Sequence, residues 1–249
     1  MPVFRVTGAS DLSSWQVRKS RSVSRFVNRA GERARLRRAA EAIRANGRTV
    51  CLTGDPGIGK SRLVHEFVQE LETEGWRLIE AECSPNLQGA PFAALKGLLR
   101  SILGTAAVDD RSGNVTDPRG GLPQILRSAL NAVLDLPISD EQWDRLEPQS
   151  RGRAICDASC ALVENLAHQQ RTVLLIEDLH WVDRASDAVM AALASLQTPN
   201  LLILITSRPD GIPDWVNHCS AESLVIRPLD ESSGREMLDA ILGPSSTTF

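Results

Sequence analysis

Apolar and polar residues along the chain follow two different periods, and their alternation predicts strands that are separated by helices. Five short apolar or β-branched runs are typical of buried strands: Thr49–Thr53, Trp76–Glu82, Val173–Ile176, Leu201–Thr206 and Ser223–Ile226. Apolar residues at helical spacing predict helices over 30–46, 60–71, 92–103, 122–134, 150–169 and 184–196. Strands that alternate with helices favour an α/β fold with a doubly wound, mostly parallel sheet, in which the helical stretch between the second and third strands is an insertion.

Two segments follow neither period. Residues 1–25 are rich in serine and arginine, apart from a short apolar start at Pro2–Val6. Residues 104–121 are rich in glycine, aspartate, serine and proline, which predicts a loop or a disordered segment within the helical insertion. The globular part of the chain is therefore expected to begin after residue 25.

A glycine-rich turn joins the first predicted strand to the next helix, and it matches the phosphate-binding pattern Gly54-x-x-x-x-Gly59-Lys60-Ser61. Gly54, Gly57 and Gly59 are expected to take left-handed backbone angles, so that successive N–H groups turn inward around an anion. The helix that begins near Lys60 adds the positive end of its dipole. We expect Lys60 to reach the outer phosphates of a nucleoside triphosphate and Ser61 to hold Mg²⁺. A plain turn with a solvated lysine is disfavoured, because a strand and a helix flank the complete motif.

A second polar cluster follows the third predicted strand, whose apolar run leads directly to Glu177 and Asp178. In an open α/β sheet, ligands bind at the carboxyl edge of the strands. A phosphate-binding loop needs one carboxylate that holds Mg²⁺ and a second that orients or deprotonates the attacking water. A polar turn without chemistry is the alternative interpretation. Asp183 is expected to cap the next helix, while His180 could approach the site and Trp181 is expected to pack at the sheet edge.

The fourth predicted strand ends in Thr206-Ser207-Arg208, which is followed by Pro209. A polar residue and an arginine at this position are suited to sense a γ-phosphate and to stabilise its charge. A solvated loop arginine is the alternative interpretation. Because three strand ends carry such residues, we expect the three clusters to meet at one edge of the sheet.

Composition and charge narrow the choice of partners. The chain has 249 residues and a net charge of −3, so its overall charge does not favour nucleic acid. Residues 1–48, however, hold 12 of the 28 basic residues and 3 of the 31 acidic ones. For this segment, a solvated linker and helix face is favoured over contact with nucleic acid or membrane.

The five cysteines show no paired CxxC spacing, which argues against a zinc site and against a disulfide framework. Cys156 and Cys160 lie one helical turn apart and are expected to be small core residues. The sequence contains no signal peptide and no apolar run long enough to span a bilayer. A reducing cytoplasm is the expected location.

Taken together, these motifs resemble the ATPase module of the STAND class of AAA-related P-loop proteins, above all the large ATPases fused to bacterial adenylate/guanylate cyclases and to LuxR-type regulators. The resemblance extends over roughly residues 24–242. The segments that carry it are Phe26–Arg29, Gly54–Leu63, Glu82–Leu99, Glu177–Asp183, Ser207–Pro209 and Arg227–Leu238. Pro2–Gly8 is also similar to the tail of a class III cyclase domain. Asn28 and Ala30 replace the glycine and glutamate of the family's F-V-G-R-E segment, and Glu177 stands where aspartate is common.

The resemblance implies a P-loop NTPase fold with three parts. Residues 1–25 would be a linker or the tail of an upstream domain, 26–229 the ATPase domain, and 230–249 the start of a truncated helical lid, so that the chain is expected to be a fragment. ATP would contact one residue upstream of the loop and the loop itself: Arg29, Gly54, Asp55, Pro56, Gly57, Ile58, Gly59, Lys60, Ser61 and Arg62. Mg²⁺ would be held by Ser61, Glu177 and Asp178, and the catalytic residues would be Glu177, Asp178 and Arg208.

The function that the resemblance implies is a molecular switch that binds ATP, hydrolyses it slowly and regulates an attached cyclase or DNA-binding output domain. Self-association that depends on nucleotide would accompany this role. One alternative is a DNA-associated AAA-type ATPase such as a replication initiator, and another is an ATP-binding scaffold without hydrolysis. Nucleic acid is not expected as a partner of this chain, because the sequence does not predict the DNA-binding winged helix that a complete initiator should carry.

Overall fold

Five parallel strands form the centre of this structure, which is a computed structural model that describes residues 29–108, 117–229 and 235. The strands are Arg48–Thr53 (β1), Arg77–Glu82 (β2), Thr172–Glu177 (β3), Leu201–Ser207 (β4) and Glu222–Val225 (β5). Their order across the sheet is β2-β3-β4-β1-β5, and every pairing is parallel. The prediction of an α/β fold with a parallel sheet is confirmed.

Burial along the strands explains why their sequences are continuous apolar runs. Every residue of β3 and β4 is buried, as is β1 after Arg48, because helices cover both faces of a parallel sheet. The edge strand β5 is different, since only Leu224 among its four residues is buried. The centre of the sheet is therefore rigid and apolar, while β5 is open to solvent.

Among the described residues, one helix precedes β1, and the other α-helices lie between strands in chain order. Their bounds are Ala30–Ala42 (α1), Lys60–Thr73 (α2), Ala93–Val108 (α3), Gln124–Val133 (α4), Glu141–Asp144 (α5), Pro148–Gln169 (α6) and Arg184–Ala194 (α7). Helices α3 to α6 all fall between β2 and β3, which confirms the predicted helical insertion. Their apolar sides join the sheet in one buried core.

Two helix ends differ from the prediction by more than two residues. Helix α1 ends at Ala42 instead of residue 46, because the chain turns there toward Gly47, where a Cβ would lie 2.7 Å from the Thr198 carbonyl oxygen. Helix α3 continues to Val108, so the prediction of a loop from residue 104 is wrong for 104–108. Gly104 costs a helix about 1 kcal/mol relative to alanine, and the rest of the helix tolerates that cost.

The sequence did not predict the four-residue helix α5. Its N-cap is Asp140, whose side chain accepts hydrogen bonds from the backbone N–H groups of Gln142 and Trp143. Trp143 is 6% exposed and packs into the core. The capping residue and the buried aromatic side chain hold this turn, although it is too short to show a helical period.

Several predictions fall on segments 1–28, 109–116, 230–234 and 236–249, which lie outside the described residues. They concern the N-terminal tail, the Phe26-Val27-Asn28 segment, residues 109–116 of the predicted loop and nearly all of the first lid helix. Residues 118–121 of the predicted loop are described and form a turn. Arg29–Pro228 forms one compact unit, while the proposed domain limits at residues 25 and 229 stay predictions. None of the described helices combines the length and the apolar character needed to cross a membrane.

Candidate functional site

The carboxyl ends of β3, β4 and β1 lie side by side in the sheet. In the strand register, Ile176 is opposite Ile205 and Thr53 is opposite Ser207. The residues that follow these strands therefore leave the sheet at the same level. This geometry brings together the phosphate-loop motif after β1, the acidic pair at the end of β3 and the polar end of β4.

The glycine-rich loop after β1 has the expected left-handed turns at two of its three glycines. Gly57 has φ 76° and Gly59 has φ 97°, in the region that favours glycine. The prediction for Gly54 is wrong, since its φ is not positive. Glycine is needed there because a Cβ would lie 2.6 Å from the carbonyl oxygen of Ile226, whose own N–H donates to the Thr53 carbonyl at 2.7 Å. The loop is thus pressed against the chain that leaves β5.

Lys60 is the first residue of α2, and its side chain folds back over the loop. The ammonium Nζ donates hydrogen bonds to the carbonyl oxygens of Gly54 at 2.7 Å and Asp55 at 3.0 Å. Burial lowers the pKa of Lys60; the charges of Asp178 and Asp55 oppose this shift, and Arg208 adds to it. Because the carboxyl ends of β3, β4 and β1 are neighbours in the sheet, Asp178 and Arg208 lie near enough to influence the charge of Lys60.

The loop has the features of an anion cradle. In the part of the chain that the structure describes, the backbone N–H groups of 57–60 donate to no protein acceptor, and the Ser61 hydroxyl makes no hydrogen bond. Unused N–H groups at the start of a helix, next to a lysine, are suited to bind phosphate. The loop therefore fits the phosphates of a nucleotide. Arg62, which was predicted to contact the nucleotide, pairs with Glu66 at 2.7 Å on the same helix.

The two acids at the end of β3 occupy different environments. Glu177 is 2% exposed, and its carbonyl accepts the N–H of Cys83 at 3.0 Å. Asp178 has φ 52°, and its N–H donates to the Thr206 hydroxyl on β4 at 2.9 Å. Thr206 therefore fixes the turn on which Asp178 stands. Carboxylate and hydroxyl oxygens are the ligands that Mg²⁺ prefers, so the predicted set of Ser61, Glu177 and Asp178 fits this ion in chemical type.

Arg208 follows β4 and lies beside the acidic turn. Its guanidinium carbon is 5.5 Å from the centre of the Trp181 ring, a distance at which a cation and an aromatic face attract each other. Trp181 is half-buried against the core, as expected for packing at the sheet edge. The arginine is held near Lys60 without being bound to a carboxylate in the described part of the chain.

His180 lies close to these charges, although the sequence indicated only that it could approach the site. Both of its ring nitrogens are buried and have no hydrogen-bond partner among the described residues. The backbone of Gly211 touches it so closely that a Cβ there would lie 2.5 Å from the His180 Cβ. Burial lowers the pKa of His180, Asp178 opposes that shift, and the nearby Arg208 and Lys60 add to it. No motif in the sequence predicted that the ring nitrogens of His180 would be buried.

Arg29 connects the phosphate loop to the chain after β5. Its guanidinium donates to the carbonyl oxygens of Ile58 at 3.1 Å and Arg227 at 2.8 Å, and it pairs with Glu32 at 2.9 Å. The side chain is 7% exposed. Its predicted contact with a nucleotide stays a prediction, and its contacts within the protein stabilise the loop.

Asp183 lies next to the site but has a structural role, as predicted. Its carboxylate accepts the N–H of Ser186 and thereby caps α7. It also accepts the N–H groups of Phe92 at 2.9 Å and Ala94 at 3.1 Å, which join the start of α3 to α7. Three backbone donors satisfy this buried carboxylate.

Comparison with known proteins gives a family for most of the chain. Residues 25–205 match the sequence family described as the AAA ATPase domain. An uncharacterized protein of Rhizobium meliloti (strain 1021) is 25% identical over 228 residues, which cover 86% of this chain. The chain spans 22% of the length of that relative.

Two solved structures are similar at low sequence identity. A crystal structure of a DNA replication initiation factor has a TM-score of 0.44 and 13% identity, over 88% of this chain and 53% of its own. The structure of Drosophila ORC bound to GC-rich DNA and Cdc6 has a TM-score of 0.41 and 13% identity, over 81% and 58% of the two chains. Both TM-scores are below 0.5, so these structures add nothing about function to what the sequence family shows.

Proposed function

The chain belongs to the AAA ATPase domain family, and on that premise we propose that it is a molecular switch that binds ATP with Mg²⁺ and hydrolyses it slowly. The observation that carries the proposal is the convergence of Lys60, Asp178 and Arg208 at the carboxyl edge of the sheet. On this proposal, Lys60 binds phosphate, and Asp178 and Arg208 supply a negative and a positive charge at the same edge of the sheet. Nucleotide binding, typically with Mg²⁺, is what the family implies.

Binding begins at the loop between β1 and α2. The N–H groups of 57–60 surround the phosphates, and the Lys60 ammonium turns from the Gly54 and Asp55 carbonyl oxygens toward the outer phosphate oxygens. The exchange replaces neutral acceptors with charged ones, which form stronger hydrogen bonds with an ammonium group. Arg29, which lies upstream of β1, stabilises the loop by donating to the Ile58 carbonyl oxygen. We propose that it also contacts the nucleotide.

The acidic pair prepares the reaction. Ser61, Glu177 and Asp178 would hold Mg²⁺, and the ion, when bound, neutralises charge on the phosphate oxygens. One of the two carboxylates orients a water molecule. The oxygen of this water attacks the γ-phosphorus, and the carboxylate accepts a proton from the water. The charge of Arg208 would stabilise the oxygens of the transferred phosphoryl group. The bond between the γ-phosphorus and the bridging oxygen breaks, and ADP and inorganic phosphate are released.

The proposal of a switch with an attached output domain is supported by two observations. The EDLHW and CSP segments resemble those of ATPases that are fused to cyclases and transcriptional regulators. The curated relative is several times longer than the matched region. We therefore include an attached output domain in the proposal. The proposal also includes nucleotide-dependent self-association and a cytoplasmic location.

Binding can be tested with Lys60→Ala, and Lys96→Ala provides a matched control. Lys96 lies on α3 and pairs with Asp135 at 2.7 Å, outside the site. ATP·Mg²⁺ at about a hundred times Kd should stabilise the wild-type chain by about 2.7 kcal/mol. Lys60→Ala should lose most of this gain, because the ammonium contacts the outer phosphates, while Lys96→Ala should keep it. The measurement is urea unfolding with and without ATP·Mg²⁺.

Equal stabilisation of all three proteins by ATP·Mg²⁺ would contradict the assignment of Lys60. Loss of the effect in Lys96→Ala as well would point to a general electrostatic effect and not to this loop. Stability without nucleotide is a separate readout in the same experiment, and it reports whether each variant folds.

A further inference from the structure

A groove lies between helix α1 and the edge strand β5, and the proposed nucleotide site does not use it. Its volume is about 440 Å³. Apolar and basic side chains line it together, among them Ala34, Arg35, Arg38, Leu224, Val225 and Arg227. The combination of an apolar floor and arginines beside a strand edge suggests an occupant with both apolar and acidic groups.

The backbone of β5 has one side free. The Ile226 N–H donates to the Thr53 carbonyl, and Val225 is opposite Thr53 in the parallel register. Neighbouring residues of a strand point their backbone groups to opposite sides, so those of Ser223 and Val225 face away from β1. Arg35 already donates to the Ser223 carbonyl at 2.9 Å. The Val225 N–H and carbonyl have no partner in the described part of the chain, and its side chain is 57% exposed.

The charges around the groove are only partly compensated. Arg35 pairs with Glu222 at 2.8 Å, and Glu32 pairs with Arg29. The exposed side chains of Arg38 and Arg227 form no ion pair or hydrogen bond with any described residue. Two free guanidinium groups thus border an open strand edge.

We propose that this groove binds an acidic, extended segment of a partner protein, which adds to the sheet as a sixth strand beside β5. Backbone hydrogen bonds to Val225 provide part of the affinity, as in other cases where a peptide joins an exposed edge. Carboxylates of the segment pair with Arg38 and Arg227 in charge-assisted hydrogen bonds. Because side chains alternate along a strand, a segment with alternating acidic and apolar residues also covers the apolar floor.

A protein segment fits these observations better than nucleic acid does. Nucleic acid binding without base readout depends on many phosphate contacts along an extended basic surface. Here the free cations flank an open groove whose lining includes the apolar residues Ala34, Leu224 and Val225. A phosphate backbone offers acceptors but no N–H donors, so it would leave both the apolar floor and the Val225 carbonyl without a partner.

The probe for the experiment is a fluorescein-labelled peptide of four glutamates alternating with three valines, titrated with the full chain at about 50 mM salt. We expect saturable binding by fluorescence anisotropy. The double variant Arg38→Glu/Arg227→Glu should weaken binding at least roughly tenfold, since it replaces attraction by repulsion. Arg153→Glu is the control, because Arg153 is an exposed arginine on α6 that does not line the groove. This charge reversal should leave binding unchanged.

Two further peptides separate strand addition from simple charge attraction. A peptide with N-methyl groups on alternate amides keeps its charge but loses backbone donors and should bind at least roughly tenfold more weakly. A peptide with lysine in place of glutamate should not bind. Lys60→Ala should bind the acidic peptide like the wild type, so this result does not depend on the nucleotide proposal.

Four results would overturn the proposal: no binding of the acidic peptide, no effect of the double charge reversal, equal binding of the N-methylated peptide, or tighter binding of duplex DNA with the same dependence on Arg38 and Arg227. The last result would identify the groove as a nucleic-acid surface. Circular dichroism and urea unfolding of each variant check that the fold is retained.

Discussion

The hydroxyl of Thr206 joins the Asp178 turn to β4 by a hydrogen bond. Thr206 is fully buried, and its Oγ1 accepts the Asp178 N–H at 2.9 Å. Asp178 has a left-handed backbone, which costs a non-glycine residue energy. The hydrogen bond therefore stabilises a conformation that the local sequence disfavours.

Replacing Thr206 by valine keeps the side-chain shape but removes the acceptor. The buried Asp178 N–H would then be unsatisfied, and the free energy of unfolding should fall by about 1–3 kcal/mol. Thr206→Ser keeps the hydroxyl and serves as the control, with a smaller loss due to its missing methyl group. Urea unfolding measures both. If Thr206→Val were as stable as the wild type, the hydrogen bond would contribute nothing to stability.

Single residues also show which features of the site could be predicted from the sequence. Gly59, Lys60 and Ser61 are recognisable because the motif is contiguous and local. The contact between Asp178 and Thr206 joins residues that are 28 positions apart, so it depends on the strand register. The need for glycine at position 54 likewise depends on Ile226, which directly follows β5. The sequence predicted that glycine is needed at position 54, but it predicted a left-handed backbone as the cause instead of the close approach of Ile226.

At the scale of elements, Asp183 joins helices α3 and α7. It accepts one N–H at the start of α7 and two N–H groups at the start of α3, all at 2.9–3.1 Å. Asp183→Ala removes all three acceptors and should lower the free energy of unfolding by about 3 kcal/mol or more, since bonds to a charged group are the strong ones. Asp183→Asn keeps one acceptor oxygen and should lose less. Denaturant unfolding of both variants tests this order.

An equal loss in the alanine and asparagine variants would mean that the charge and not the geometry of Asp183 determines stability. A loss below about 1 kcal/mol in the alanine variant would reduce its role to an ordinary helix cap.

The bounds of the elements were largely predictable, but their arrangement was not. Each predicted strand lies within one or two residues of an observed one, because buried parallel strands are continuous apolar runs with clear ends. The order β2-β3-β4-β1-β5 depends on which strand edges meet, and apolar runs such as Val173–Ile176 and Leu201–Thr206 contain no information about this. Helix α3 continues past Gly104 because one glycine costs a helix only about 1 kcal/mol relative to alanine.

At the scale of the whole molecule, the buried thiols predict how stability depends on pH. Burial raises the pKa of Cys51 to about 11 and those of Cys83 and Cys160 to about 12. Nearby acids such as Asp183 add to the shift at Cys83. These thiols stay neutral in the folded chain at a pH where they ionise in the unfolded chain.

The sign of the effect follows from linkage. Because the folded pKa values lie above the unfolded value of 9.0, the thiols stabilise the fold fully below pH 9, and this contribution is lost as the pH rises toward 11 and 12. The urea midpoint should therefore decrease from about pH 9 upward. The sequence contains no tyrosine, so no phenol titrates in this range.

Cys83→Ala is the matched variant for this measurement. It should be less stable at pH 8, because a buried side chain is truncated, but its stability should decrease less steeply between pH 9 and pH 11. Identical slopes for wild type and variant would show that Cys83 ionises equally in both states, against its burial of 96%.

The central claim is that the acidic pair at the end of β3 carries out ATP hydrolysis, and phosphate release tests it most directly. Glu177→Gln and Asp178→Asn remove the charge of each carboxylate but keep its shape. Asp135→Asn is a matched control, since Asp135 is an exposed acid with a similar left-handed backbone, φ 57° against 52°.

The measurement is single-turnover phosphate release from ATP·Mg²⁺, with nucleotide affinity determined on the same proteins. We expect both site variants to bind ATP with modestly lower affinity and to release phosphate at least roughly tenfold more slowly than the wild type, because a neutral amide cannot accept the proton of the attacking water. Asp135→Asn should match the wild type. Wild-type rates in both Glu177→Gln and Asp178→Asn would contradict the account and leave the acidic pair with a structural role.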